Sequence, residues 1–342
     1  MDFFGYELAG HLIAASSPAT ESLSNIKACM DNGAAAVILK SASSTRLHDR
    51  KTRRCHIDEY GFWAESGFDR EIMPLEQALL LTKQSVEQCN IPIIPSVTEL
   101  TLEPDKWIED CQSFENVGAC AIQLDFFYFH NLLCDDNFNS KFIRLLKEIK
   151  RKTMVPIMPK ISIGIPVELA SYLLVSAGVE YVSLLDSIQS PKPHNSYLSG
   201  ESLSLFGSFM FPITRQYTHV LSKTGIKICA GGGVTSAKHV QELISLGASI
   251  VQIATEVLLN GFSRFNQIEK DLVVMTSKAK PIISIGKRKA FFYSEYCTNC
   301  GKCRKQCFCS VAQKLMKTNE QCEGCGLCAS ICKSGAIKMI EV

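Results

Sequence analysis

Short, almost continuously apolar runs alternate with longer amphipathic stretches from residue 9 to about residue 280. Eight runs have the length and β-branched content of strands: Leu12–Ser16, Ala36–Ser41, Ile93–Val97, Ala119–Asp125, Pro156–Ile161, Tyr181–Asp186, Ile226–Ala230 and Ile250–Ala254. Runs that are apolar at nearly every position, rather than at every second one, fit parallel strands covered on both faces. Between them, apolar residues at helical spacing predict helices. One ends at Ala28–Gly33, and others cover Leu75–Cys89, Pro104–Glu115, Lys141–Arg151, Pro166–Gly178 and Ser236–Gly247. Several have proline in the first turn or glycine at the end, where a missing N–H or a positive φ is tolerated. Eight alternations over roughly 270 residues predict a (β/α)8 TIM barrel, with a doubly wound open sheet as the runner-up.

Functional groups of such a barrel stand at the C-terminal ends of its strands. That rule selects Ala15 and Ser16, Lys40, Gln123 and Asp125, Lys160, Asp186, the run Gly231-Gly232-Gly233, and Ala254 with Thr255. Glycines after the seventh strand, with the turn after the eighth, are where barrels offer backbone N–H groups to a phosphate. Lys40 and Lys160 end the second and fifth strands; taken singly, each reads as a solvated strand end. Together with the glycine run they point to an anionic, phosphorylated cofactor.

The chain of 342 residues is long enough for one large domain and a small appendage. A net charge of +2, with 46% hydrophobic and 20% charged residues, argues against a nucleic-acid or other polyanion binder. No stretch is long and apolar enough to span a bilayer, and the start lacks a basic leader, so a cytoplasmic location without a membrane partner is expected.

Cysteine usage adds a second chemistry. Eight of sixteen cysteines form two copies of C-x-x-C-x-x-C-x-x-x-C in the last 46 residues: Cys297, Cys300, Cys303, Cys307 and Cys322, Cys325, Cys328, Cys332. This is the bacterial ferredoxin spacing for two [4Fe–4S] clusters, in which each fourth cysteine serves the other cluster. The expected ligand sets are Cys297, Cys300, Cys303 with Cys332, and Cys322, Cys325, Cys328 with Cys307. Zinc ribbons need two pairs rather than two quartets, and a disulfide framework implies secretion. Phe308 and Lys333 follow the fourth cysteines where proline is usual, and Cys309 competes with Cys307. From Ile285 to Val342 ten Lys/Arg face four Asp/Glu, a surplus suited to the negative charge of two clusters. The remaining cysteines are scattered, as free thiols are in a reducing compartment. The division expected is a barrel over 1–285 and a small ferredoxin-like domain over 286–342.

These residues resemble the FMN-dependent dihydroorotate dehydrogenases, and more closely the pyrimidine-reducing barrel of dihydropyrimidine dehydrogenase, over essentially the whole chain. Ala14-Ala15-Ser16-Ser17-Pro18 is similar to the first-strand segment along the flavin, and Ile38-Leu39-Lys40-Ser41 to the second-strand lysine motif. Ile94-Pro95-Ser96-Val97 with Trp107 resembles the third unit, and Pro159-Lys160-Ile161 the lysine at the flavin N1/O2 edge. Leu198-Ser199-Gly200, Ala230-Gly231-Gly232-Gly233-Val234, Gly247-Ala248-Ser249 and Val251-Gln252-Ile253-Ala254-Thr255 resemble the phosphate end. The resemblance implies FMN contacts at Ala15, Ser16, Lys40, Gln123, Lys160, Asp186, Gly200, Gly232, Gly233, Ala254 and Thr255. It implies oxidation or reduction of a C=C/CH–CH bond in a small, pyrimidine-like substrate. A lysine near N1 stabilises reduced flavin, and flavin converts single electrons from a cluster into hydride chemistry, so each cofactor explains the other.

Two departures stand out. The family's fourth strand ends in an Asn-Leu-Ser-Cys-Pro-like segment, whereas here Gln123-Leu124-Asp125-Phe126-Phe127 occupies it; the sixth-strand asparagine becomes Asp186. An added carboxylate repels an orotate-like substrate. The proton donor is expected at Cys134, in the loop after the fourth strand, where the residue is equally a small apolar filler; Tyr128, His130 and Asp125 are fallbacks. The long connection Ser43–Phe68, with Arg46, Arg50, Lys51, Arg53, Arg54 and His56, is expected to wall the mouth or to be a solvated basic loop. No G-x-G-x-x-G follows a strand, so the expected electron partner is a ferredoxin, a flavodoxin or a separate NAD(P)H-oxidising flavoprotein subunit, in a homo- or hetero-oligomer. Rival readings are a non-catalytic electron-transfer subunit and an FMN reductase of an unrelated small substrate.

Overall fold

In the computed structural model, parallel pairings lead from strand to strand and return to their start. The residues described are 2–45, 55–58, 61–65, 72–126, 132–191, 202–277, 288–306, 312 and 322–341. The first strand, Leu12–Ala14, pairs with Val37–Ile38 of the second, which pairs with Ile93–Ile94 of the third. Pro95 lacks an N–H and interrupts the third strand, which resumes at Ser96–Val97 beside Ala42–Ser43 and Ile122–Asp125. The fourth strand, Ile122–Asp125, continues through Ile157–Ile161, Tyr181–Leu184, Lys227–Ala230 and Ile250–Ile253, and the last of these pairs with Leu12–Ala14. The eleven strand segments form one curled, TIM-barrel-like sheet.

Period-two alternation divides each strand between two environments. Ile122 and Leu124, Val182 and Leu184, and Ile228 and Ala230 join the large core that also holds the apolar faces of the helices. Ile13, Met158, Tyr181, Cys229 and Ile250 fill a second, smaller core with Phe3 and Phe4 of the N-terminal hairpin. Phe3 and Phe4 pack on Tyr181 with ring centroids 5.2 and 4.5 Å away, at the beginning of the sixth strand. Further along the strands the inward positions turn polar: Ser96, Gln123, Asp125, Lys160, Ser183 and Gln252, all buried. Polar inward residues gather at the C-terminal strand ends, so a site is positioned there.

Helices Leu75–Gln88, Pro104–Asn116, Phe138–Lys152, Val167–Ala177 and Ala237–Ser245 lie near their expected places. Phe211–Leu221 and Arg264–Ser277 were not among the expected helices. The connection after the second strand contributes Cys55–Ile57 and Phe62–Glu65 to a four-stranded antiparallel sheet with Ile188–Pro191 and Ser202–Phe206. Where a loop was expected the chain thus carries paired strands; Arg46, Arg50, Lys51, Arg53 and Arg54 lie outside the described residues.

Contacts divide the chain into units Met1–Thr276 and Ser277–Val342. In the second unit Arg288–Phe292 pairs antiparallel with Ile337–Glu341, beside short helices Lys302–Gln306 and Leu327–Ile331. Its small core contains Ala290, Ala312, Cys328 and Ile337. Among the described residues no helix is long and apolar enough to cross a membrane.

Candidate functional site

The C-terminal strand ends of the first unit border a cavity of about 240 Å³. That is several times the roughly 30 Å³ that one water occupies, and enough for a polycyclic group. Ala15, Ser16, Lys40, Lys160, Asp186, Gly232, Gly233, Ala254 and Thr255 all line it, as the strand-end rule expects. Gln123 stands behind this lining: its side chain is buried and its Nε2 donates to Ser96 Oγ at 2.9 Å. Gly200 lies outside the described residues, as do Tyr128 and His130. Cys134 is exposed on the turn Leu132–Cys134 and does not line the cavity. The turn leads into helix Phe138–Lys152, with Asp135 held by Lys141 at 2.6 Å.

Lys160 is the electrostatic centre. Its Nζ is hydrogen-bonded to Asp186 Oδ2 and lies 3.9 Å from Asp125 Oδ2. Burial works against its charge, but the two carboxylates more than restore it, and Lys160 holds its proton more tightly than an ordinary lysine. Asp125 Oδ2 also accepts from Ser41 Oγ at 2.7 Å. Ser41 Oγ contacts Ser16 Oγ at 3.2 Å and Ser96 Oγ at 3.1 Å. A hydroxyl chain thus leads from the cavity lining at Ser16 to a buried carboxylate.

The glycine run is held from behind: Thr214 Oγ1 donates to the carbonyls of Gly231 and Gly232 at 2.9 and 2.8 Å. Gly233 has φ +77°, and a Cβ there would lie 2.5 Å from Phe211 N and 2.9 Å from Gly207 O. Only glycine allows the loop to approach so closely. His239 stacks on Phe211 at 3.8 Å, and its Nδ1 accepts the Thr235 N–H at 3.2 Å. Burial lowers its proton affinity, so the neutral ring is the form that makes this bond.

Several lining residues were not singled out from the sequence. Gly207 and Ser208 follow a short antiparallel strand that alternates serine with leucine instead of forming a continuous apolar run, and Gln252 is an inward residue of the eighth strand. Gln252 Nε2 donates to Ser183 Oγ at 2.8 Å and to the Leu184 carbonyl, while its buried Oε1 has no partner among the described residues. An orphaned amide acceptor in a cavity wall calls for a donor from a ligand. The imide N–H of a flavin is such a donor, the N–H groups of a glycine run suit its phosphate, and a buried lysine suits its N1/O2 edge. The residues present therefore fit FMN.

In the second unit Cys297, Cys300, Cys303 and Cys332, one of the two expected ligand sets, line a single cavity. Among the described residues no group of three or more His, Cys, Asp or Glu converges on a single metal ion. A cubane offers each thiolate its own iron, so its ligands ring a body rather than a point. Cys297 Sγ accepts the Asn299 N–H at 3.4 Å, and Cys322 Sγ the Ala290 N–H at 3.3 Å. Burial of Cys332 favours its thiol, but hydrogen bonds from Ser334 and from the backbone at Ile337 and Ala336 outweigh that and lower its pKa. N–H···S bonds favour the thiolate a cluster requires. Cys307 and Cys309 lie outside the described residues, and Cys322, Cys325 and Cys328 are intermediate, exposed and buried.

The family model for dihydroorotate dehydrogenase matches residues 1–275. Among curated proteins, the chain is similar to the catalytic subunit of dihydroorotate dehydrogenase B (NAD(+)) from Thermoplasma volcanium. The two are 27% identical over 297 residues, 78% of this chain and 90% of the relative. With the cavity and its lysines at the strand ends expected of such a barrel, the chain belongs to the dihydroorotate dehydrogenase family, whose members are FMN-dependent oxidoreductases.

Proposed function

We propose that the protein is an iron–sulfur flavoprotein of the dihydropyrimidine dehydrogenase branch, acting on a C=C/CH–CH bond of a small, pyrimidine-like substrate. The observation that carries this reading is the cavity that gathers Lys40, Lys160, Asp186 and Gly232–Gly233 at the strand ends. When bound, FMN supplies hydride chemistry, and two [4Fe–4S] clusters supply single-electron exchange with an external carrier. Residues 286–342 are read as the ferredoxin-like domain, the four cysteines around one cavity being the support for the first cluster. The partner is a ferredoxin, a flavodoxin or a separate NAD(P)H-oxidising subunit, a reading supported by the relative's designation as a catalytic subunit.

The chain's own groups have distinct tasks. Lys40 and the N–H groups of the glycine run would hold the phosphorylated cofactor, Gln252 Oε1 would be free to accept from its ring, and Lys160 would place positive charge beside it. Ser16 and Ser41 form a connected route from the cavity to Asp125, whose carboxylate would take the proton leaving the substrate carbon on oxidation and, once protonated, return it on reduction. Cys134 is the second candidate donor, from the turn outside the lining. One observation favours the rival reading of a non-catalytic electron-transfer subunit. Phe126, at the position of the family's cysteine, is 1% exposed, with its ring 5.0 Å from Trp107 and 4.7 Å from Phe142.

Purification without air, with flavin, iron and sulfide analysis, tests both readings: bound FMN with roughly eight irons per chain is expected. A colourless protein sinks both. Reoxidation of the reduced protein by uracil, thymine or orotate then separates enzyme from carrier. Ser41→Ala is expected to slow that step with both cofactors retained, whereas Cys134→Ala leaves it unchanged; the opposite pattern assigns the proton to Cys134.

A further inference from the structure

We propose that Asp186 selects the substrate by charge: the site takes a nitrogen heterocycle that presents an N–H donor and rejects one that presents a carboxylate. This rests on the flavin-site reading above and fixes what that reading leaves open, the charge of the ligand. Lys160 lies between Asp186 Oδ2, to which it donates, and Asp125 Oδ2 at 3.9 Å. One cation between two carboxylates leaves the trio with a surplus negative charge. Asp125 also lines the cavity but presents little of that surplus, because its side chain is 3% exposed and its Oδ2 is bound by Ser41. Asp186 does: its side chain is 22% exposed and lines the cavity, and its Oδ1 has no hydrogen-bond donor among the described residues.

The other charges on the wall do not offset this. Glu256 is matched by Arg264 at 2.6 Å, and Lys40 stands at the second strand among the groups assigned to the cofactor. Lys160 cannot turn to an incoming anion without leaving Asp186. Among the described residues a carboxylate ligand therefore meets Asp186 with no cation left to balance it, in a partly desolvated cavity where like charges repel strongly. An N–H donor instead completes Oδ1 with a charge-assisted hydrogen bond.

Orotate and orotamide share one ring and differ only in carboxylate against carboxamide, which makes them the probes. The full-length, flavin-loaded protein, purified without air, is titrated with each by calorimetry. The wild type is expected to bind orotamide at least about tenfold more tightly than orotate. Asp186→Asn is isosteric; it is expected to raise orotate affinity at least about tenfold and to change orotamide affinity by less than about fivefold. Asp186→Ser reads the same ratio if the asparagine variant does not fold. Equal binding by the wild type, a ratio indifferent to residue 186, or no binding of either probe to flavin-loaded protein overturns the proposal. A protein that takes up no flavin sinks the flavin-site reading and this one together. A flavin-loaded protein whose ratio ignores Asp186 sinks the charge-selection proposal alone.

Discussion

Replacing Lys160 by methionine keeps the length and apolar stem of the side chain and removes its charge from between two carboxylates. Lys160 and Asp125 have side chains 6% and 3% exposed, so neither is relieved by solvent. At 3.9 Å and an effective dielectric constant of 20, the Lys160–Asp125 attraction alone is about 4 kcal/mol. The direct contact with Asp186 adds to that, and the recovered desolvation of the ammonium subtracts from it. The net loss expected for breaking such a buried set is about 3 to 5 kcal/mol, a fall in Tm of roughly 6 to 20 °C for a unit of this size. Both tryptophans, Trp63 and Trp107, lie in the first unit, so their fluorescence follows its unfolding separately from the second. Thermal melts at fixed flavin concentration compare the wild type, Lys160→Met, and Lys160→Met combined with Asp125→Asn and Asp186→Asn. The combined variant is expected to regain most of the loss, because no uncompensated charge remains. A loss below about 1 kcal/mol, or a combined variant no better than Lys160→Met, refutes the charge argument and leaves packing as the cause.

Two further perturbations test other parts of the structure. Gly233→Ala places a Cβ against Phe211 N and Gly207 O at a φ of +77°; a loss of at least about 2 kcal/mol in stability is expected by thermal melt, with flavin bound at least about tenfold more weakly by fluorescence titration. Asp110 is 1% exposed beside buried Glu99, and burial, helped by Glu99 and opposed by bonds from Ser44, raises its pKa from 3.8 to about 6. Its folded value lies above its unfolded one, so stability falls as pH rises from about 4 to 6 and the penalty is complete above that. Asp110→Asn is expected to raise stability at pH 7.5 by about 1 to 2 kcal/mol, after discounting for screening, and to have little effect at pH 4; equal effects at both pH values exclude charge burial as the cause.

How much of this was legible depended on what each residue had to do. The parallel strands show in the sequence because both faces are covered, so Ile122 and Leu124 on one side and Ile13 or Met158 on the other are all apolar. The antiparallel sheet does not show, because its strands are three to five residues long and carry Gln189, Ser190, Ser202 and Ser204. Its central pairing, Phe206 with Phe62, joins residues far apart in the chain, which no local pattern encodes. Helix Phe211–Leu221 has Pro212 in its first turn and buries Thr214 and Thr218, polar β-branched residues that blur its apolar face. Strand-end logic found the lysines and glycines of the cavity because they end apolar runs. It missed Gly207 and Ser208, which belong to the sheet it could not see.

Alternation along the fourth strand explains why the residue that departs most visibly from the family pattern is not the one that governs the site. Gln123 and Asp125 point inward with the polar groups, and Leu124 and Phe126 point outward into the helix layer. Phe126 completes an aromatic contact with Trp107 and Phe142, so this position belongs to the packing of the unit. The chemical consequence of the altered strand is carried one residue earlier, by Asp125, which accepts from Ser41 and stands 3.9 Å from Lys160. Asp186, from a different strand, completes the same charge set. Two substitutions that look independent in the sequence thus meet on one ammonium group. Their joint effect is to leave the set around Lys160 with a surplus negative charge and an acceptor to spare, and on the proposed reading the chemistry of the substrate has to match that acceptor.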